Sequence, residues 1–160
     1  MKHLTRLFAA MTMMLFLSGL AFAQSRYTQF GNINNGSVNV GSAWTKLNTT
    51  STTHTFNKVS SSTKIEVIVN SRFRVGTISA ANGVKFQVRI DNTVMPTFGN
   101  QGSILTSNTS EFLSIFTVFS TISAGNHTVS IWAQAPSGSA TSVLADPGGW
   151  GGMIVVKETP

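Results

Sequence analysis

The chain has 160 residues and a formal net charge of +6, yet only 10% of it is Asp, Glu, Lys or Arg, and it contains no cysteine. The missing cysteines exclude a disulfide-stapled scaffold and a lipid anchor at an N-terminal cysteine, so the fold must be held by its core alone. So few charges, against roughly a quarter of residues in an ordinary soluble domain, leave Ser, Thr, Asn and Gln to supply the polar surface, and the scattered basic residues do not form the stripe that nucleic acid needs.

In chain order, Lys2 and Arg6 precede an apolar run from Leu7 to Leu17, and Ala21-Phe22-Ala23 closes the segment. A basic start, a short apolar centre and small residues at a cut site predict a secretory signal peptide over residues 1–23. The run is shorter than the roughly 20 apolar residues of a spanning helix, so no membrane span is expected after cleavage. Residues 24–160 then form a single domain, long enough to bury a core without staples. Without Lys2 and Arg6 the domain keeps a basic excess, which suits an anionic surface. An exported domain without cysteine points to a bacterial source and a secreted or periplasmic destination.

Period-two alternation dominates the rest. Ile65, Val67 and Val69 alternate with polar residues over 64–70; Val84, Phe86, Val88 and Ile90 do so against Lys85, Gln87, Arg89 and Asp91; Val129, Ile131 and Ala133 do so over 127–134. This is the mark of half-buried strands. Trp132 is the one aromatic on the polar face of the last of these. The stretches 112–119 and 153–156 are apolar on both faces and predict central strands covered on two sides. Turn residues separate the runs at Asp91-Asn92-Thr93, at Gly125, where a positive φ is expected, and at Asp146-Pro147-Gly148-Gly149. Eight to ten short strands at this spacing predict an all-β antiparallel β-sandwich, most simply a compact jelly roll. A hairpin between 69–75 and 84–90 would match Phe73 with Phe86, Val75 with Val84 and Val69 with Ile90. It would also gather Arg72, Arg74, Lys85 and Arg89 on one basic face, with Arg74 directly across from Lys85.

No combination of acid, base and nucleophile stands out, so no enzyme is expected. A small hydrolase would require His54 or His127 to meet a carboxylate in a cleft. Glu66, Asp91, Glu111, Asp146 and Glu158 are dispersed, so no metal site or cofactor is expected. Candidate ligand-binding residues are therefore Trp132, Trp150 between its flanking glycines, and the basic set Arg72, Arg74, Lys85 and Arg89. Trp44 reads as a core residue.

The stretches Phe86–Asp91, Ile122–Val129 and Gly149–Val155 resemble the complement-type globular head and tumour necrosis factor-like superfamily. Gly125-Asn126 stands where that family often carries Gly-Asp, and Trp150 where it usually carries Phe. The resemblance implies a ten-stranded jelly roll, trimerisation through a hydrophobic seam, and binding through loops rather than catalysis. None of the family's receptor or calcium residues has a matching position here. Taken together, the expectation is a secreted, non-enzymatic binding or assembly module that forms a homo-oligomer and takes a glycan or anionic cell-surface ligand. Its alternatives are a lectin-like domain with Trp132 or Trp150 as the stacking platform, and a structural subunit of an extracellular fibre or coat.

Overall fold

Alternation turns into strand wherever it was expected. The computed structural model describes residues 25–31, 33, 36–47, 54–78, 83–99, 102–135, 141–146, 149 and 151–160; the signal-peptide reading lies outside them. Twelve strands occur among the described residues: β1 (Arg26–Gly31), β2 (Val38–Val40), β3 (Thr45–Lys46), β4 (Thr55–Lys58), β5 (Lys64–Val75), β6 (Val84–Ile90), β7 (Phe98–Gly99), β8 (Gly102–Ile104), β9 (Thr109–Phe119), β10 (Gly125–Gln134), β11 (Thr141–Ala145) and β12 (Met153–Thr159). No helix among the described residues is long and apolar enough to cross a membrane.

The strands form two antiparallel sheets. In the larger, β5 pairs with β9 along one edge from Ile65↔Phe119 to Val75↔Thr109. Its other edge is shared, by β12 over Lys64–Asn70 and by β11 over Phe73–Val75. β1 lies outside β12, β2 outside β11 and β7 outside β9. In the smaller, β10 is central, with β6 on one side and β4 and β3 in succession on the other; β8 lies outside β6. Passing from β4 through β5 to β6, and again from β8 through β9 to β10, the chain crosses from one sheet to the other. That is a jelly-roll β-sandwich.

The inner faces supply the core. Ile65, Val67, Val69, Phe73 and Val75 of β5 are fully buried, as are Val84, Phe86, Val88 and Ile90 of β6 and Ile131 and Ala133 of β10. The hairpin expected between β5 and β6 does not form, because the two strands belong to different sheets. Phe73 and Phe86 nevertheless meet, with ring centroids 4.6 Å apart. Their apolar match is face-to-face packing across the sandwich, not register within a sheet. Arg74 consequently lies across from Leu144 and Ser110, not Lys85.

β9 departs from expectation in another way. Its even-numbered residues face outward from the larger sheet, where Phe112 is 69% and Phe116 36% exposed. The two-sided apolar run is thus covered on one side only among the described residues.

Turns use the predicted chemistry. Asp91 and Asn92 both take positive φ (50° and 63°) between Ile90 and Val94, whose backbones bond each other at 2.8 and 3.1 Å; short polar side chains tolerate that region best. Gly125 has φ 131°, as its position required. The β4–β5 turn is organised by one carboxylate. Glu158 of β12 accepts from the amides of Val59 and Ser60 at 3.0 Å and from the Thr63 hydroxyl at 2.5 Å. Lys58, only 1% exposed, donates from Nζ to the Ser60 carbonyl beside it. Burial would raise the Glu158 carboxyl, but the donors from Thr63, Val59 and Ser60 and the Lys58 charge outweigh it and hold the group below its ordinary range.

Candidate functional site

The outer face of the smaller sheet gathers the aromatic and basic residues of three strands. Alternation puts Lys85, Gln87 and Arg89 of β6 and Ser130, Trp132 and Gln134 of β10 on that face. Register then sets Trp132 between Lys46 and Gln87, Ser130 beside Arg89, and Lys85 between Gln134 and Ser103. The Arg89 guanidinium lies over the Trp132 ring, 4.2 Å from its centroid, and 5.6 Å from that of Trp44. Its Nε donates to Gln87 Oε1 at 3.2 Å, and the Trp132 indole N–H donates to Ser130 Oγ at 2.9 Å. A cation against an indole face is attracted by the ring quadrupole, so this contact and the Gln87 hydrogen bond hold the side chain in place. Burial lowers the Arg89 pKa from its ordinary value, and among the described residues no carboxylate pairs with it.

Of the residues singled out in the sequence, Trp132, Lys85 and Arg89 come together here. Arg72 and Arg74 do not: they are exposed on the outer face of the larger sheet, across the sandwich, because β5 and β6 lie in different sheets. The single four-residue basic face is therefore two faces. Trp150 lies outside the described residues. Trp44, expected in the core, is half-buried beside Arg89. Lys46 joins the face only through the β3–β10 register, which sequence spacing does not reveal.

The second candidate surface is the outer face of the larger sheet. Register sets Phe98 beside Val118 and, one rung along, Phe116 beside Ile68 beside Val155; Phe112 follows on the same face of β9. Phe98 is 70% exposed. Phe98 and Phe116 are diagonal neighbours on this face, and exposed Ser114 separates Phe116 from Phe112. Arg72 sits directly across from Phe112.

Both histidines have partners within the fold. His127 Nδ1 lies 2.7 Å from Asp91 Oδ2, while its Nε2 lies 3.1 Å from the Ser123 carbonyl. A histidine meets a carboxylate, then, but both ring nitrogens are engaged and neither is free toward a substrate. His54 is buried edge-on against Phe30, with ring centroids 5.1 Å apart, and its pKa is lowered by burial and then by Lys46. Asp146 is 1% exposed, and neither carboxylate oxygen has a hydrogen-bond partner among the described residues. No three acidic or histidine side chains gather as a metal site would require, among the described residues. A recess of about 440 Å³ opens between Gln87, Met95–Gly99 and Thr117; it contains no nucleophile–base pair.

Asp91 yields a pH expectation. Burial would raise its carboxyl, but the hydrogen bonds from His127 and Thr128 outweigh that and leave it below the ordinary aspartate value. A lowered carboxylate pKa stabilises the fold above the ordinary range, and the contribution disappears as pH falls through the lowered value. Asp91→Asn is expected to flatten the acid limb of the melting-temperature–pH profile, read by circular dichroism; an unchanged acid limb would refute the pairing.

No family model and no curated protein matches the sequence. Among solved structures, the chain is similar to a D431N mutant VP2 protein of infectious bursal disease virus in derived T=1 particles (TM-score 0.40, 11% identity, 85% of this chain and 36% of that one). It is also similar to a family two carbohydrate esterase from Cellvibrio japonicus (TM-score 0.24, 14% identity, 86% and 35%). The chain spans little more than a third of either protein, and the likeness is a coarse one of β fold.

Proposed function

We propose that this chain is an exported, non-enzymatic assembly module. It buries the outer face of its larger sheet against copies of itself and leaves the opposite, basic face free for a surface ligand. The observation that carries this reading is the exposure of Phe98, Phe112 and Phe116 on one regular sheet face whose other side packs the hydrophobic core. Leaving Phe98 and Phe112 mostly in water forgoes at most roughly 1.5–3 kcal/mol each relative to burial, and Phe116, 36% exposed, forgoes about a third of that; a second copy recovers it. The resemblance to the complement-type and tumour necrosis factor-like superfamily implies three copies in a closed ring. A fibre or coat subunit would use the same face but grow with concentration.

The test is the mass of the purified protein from Gln24 onward, measured in solution over a hundredfold range of concentration. One fixed oligomeric mass is expected, falling to that of a monomer in the Phe112→Ser, Phe116→Ser variant with its β-sheet circular dichroism unchanged. A wild-type monomer throughout the range would sink the reading, and mass that keeps rising would favour the fibre subunit. Export is checked on the same preparation, since the product recovered outside the cytoplasm is expected to begin at Gln24. A neutral-sugar lectin is the weaker alternative, because Arg89 already occupies a face of the Trp132 indole.

A further inference from the structure

We infer that the outer face of the smaller sheet binds an acidic polysaccharide, with the Arg89 guanidinium as its central anion receptor and Lys46 and Lys85 as flanking contacts. This rests on the part of the functional reading that leaves this face free, and not on self-association through the other sheet.

Three features of the face select that ligand. First, Arg89 is positioned in advance. Trp132 and Trp44 hold the guanidinium, Gln87 Oε1 fixes Nε, and the two terminal nitrogens make no hydrogen bond among the described residues. A planar fork with its outer donors unused fits a carboxylate or sulfate through paired N–H bonds. Second, the other cations are similarly unneutralised: among the described residues neither Lys46 nor Lys85 forms an ion pair. The face is cationic, and the charge missing from it is negative. Third, the spacing excludes a single small anion. Lys85 is four residues from Arg89 along one strand, about 13 Å, and Lys46 is two strands from Gln87, about 10 Å. Only a polymer with acidic groups repeating along its length reaches all three. Half-exposed Gln134 and exposed Ser103 flank Lys85 and offer polar groups to sugar hydroxyls. Nucleic acid is disfavoured because Arg89 covers the indole face on which a base would stack.

The experiment titrates the protein with heparin, polygalacturonate and neutral dextran, and with single-stranded DNA and anionic lipid vesicles as competing polyanions. Binding of heparin or polygalacturonate is expected, weakening as salt rises, with none to dextran. The Lys85→Gln, Arg89→Gln variant is expected to lose about tenfold or more in affinity, the scale of a strong charged contact. The Arg72→Gln, Arg74→Gln variant removes equal charge from the opposite face and is expected to retain its affinity. Lys85→Gln alone, at an exposed position, keeps the result readable if loss of Arg89 disturbs folding, and is expected to weaken binding by a smaller factor. Equal losses in the two double variants would reduce the effect to net charge and overturn the inference. So would absence of binding to both acidic polysaccharides, or tighter binding of DNA or vesicles. The Phe112→Ser, Phe116→Ser protein separates the two proposals: each protomer is expected to keep its polysaccharide site even where self-association has been abolished or never existed.

Discussion

Phe73→Ala is expected to destabilise the domain by about 3–5 kcal/mol, the usual range for truncating a buried phenylalanine. Phe73 is fully buried and packs on Phe86, which belongs to the facing sheet. The lost ring therefore opens a void between two layers, where neither sheet can move inward without breaking its ladders. Total stabilities of 5–15 kcal/mol make that a large fraction. Urea unfolding followed by tryptophan fluorescence measures it. A double-mutant cycle with Phe86→Ala is expected to return a coupling of about 0.5–1.5 kcal/mol, the magnitude for paired aromatic rings. Additive effects would mean that the two rings do not touch and that the sheets are stacked differently.

Glu158→Ala is expected to cost about 3 kcal/mol, the scale for breaking a buried charged network. Its carboxylate satisfies two backbone amides and a hydroxyl in the β4–β5 turn and lies close enough to Lys58 for their charges to interact. Without it those donors are left unpaired, and Lys58 remains buried without its counter-charge. The pH dependence gives a second handle. Since the Glu158 pKa is lowered in the folded state, its contribution is complete above the ordinary glutamate range and is lost as pH falls through the lowered value. Glu158→Ala should therefore cost most at neutral pH and progressively less in acid. A penalty that stays constant from neutral pH into acid would show that the carboxylate's charge is not what holds the turn.

Much of this architecture was legible from residue patterns, and the gaps have physical causes. The alternations over 64–70, 84–90 and 127–134 each specified a strand and its buried side, because a period of two has one solution once one face is apolar. Pairing was harder to read. Phe73 and Phe86 satisfy each other equally well as neighbours in a ladder or as contacts across a core, and only the three-dimensional crossing distinguishes the two. The same ambiguity merged Arg72 and Arg74 with Lys85 and Arg89 into one basic face. The run from Phe112 to Phe119 showed that both sides of the strand are apolar, but not whether this chain or another one covers the second side. The Arg89 site was visible in pieces. Trp132 stood out as an aromatic on a polar face, whereas Trp44 and Lys46 reach it only through the β3–β10 register and left no local trace.

The placement of β12 governs the order in which the molecule can be completed. It lies between β1 and β5, bonded along the whole of β1 and to Lys64–Asn70 of β5, so Met153–Thr159 form an internal stave of the larger sheet. Until they are in place, β1 has no partner along that edge and half of β5 has an open one. Pairs such as Arg26 with Glu158 join distant parts of the chain, and contacts of such long sequence separation form slowly. A chain made from its N-terminus therefore cannot close the larger sheet until β12 has followed the other eleven described strands, so the inner face of that sheet stays open while they are being made.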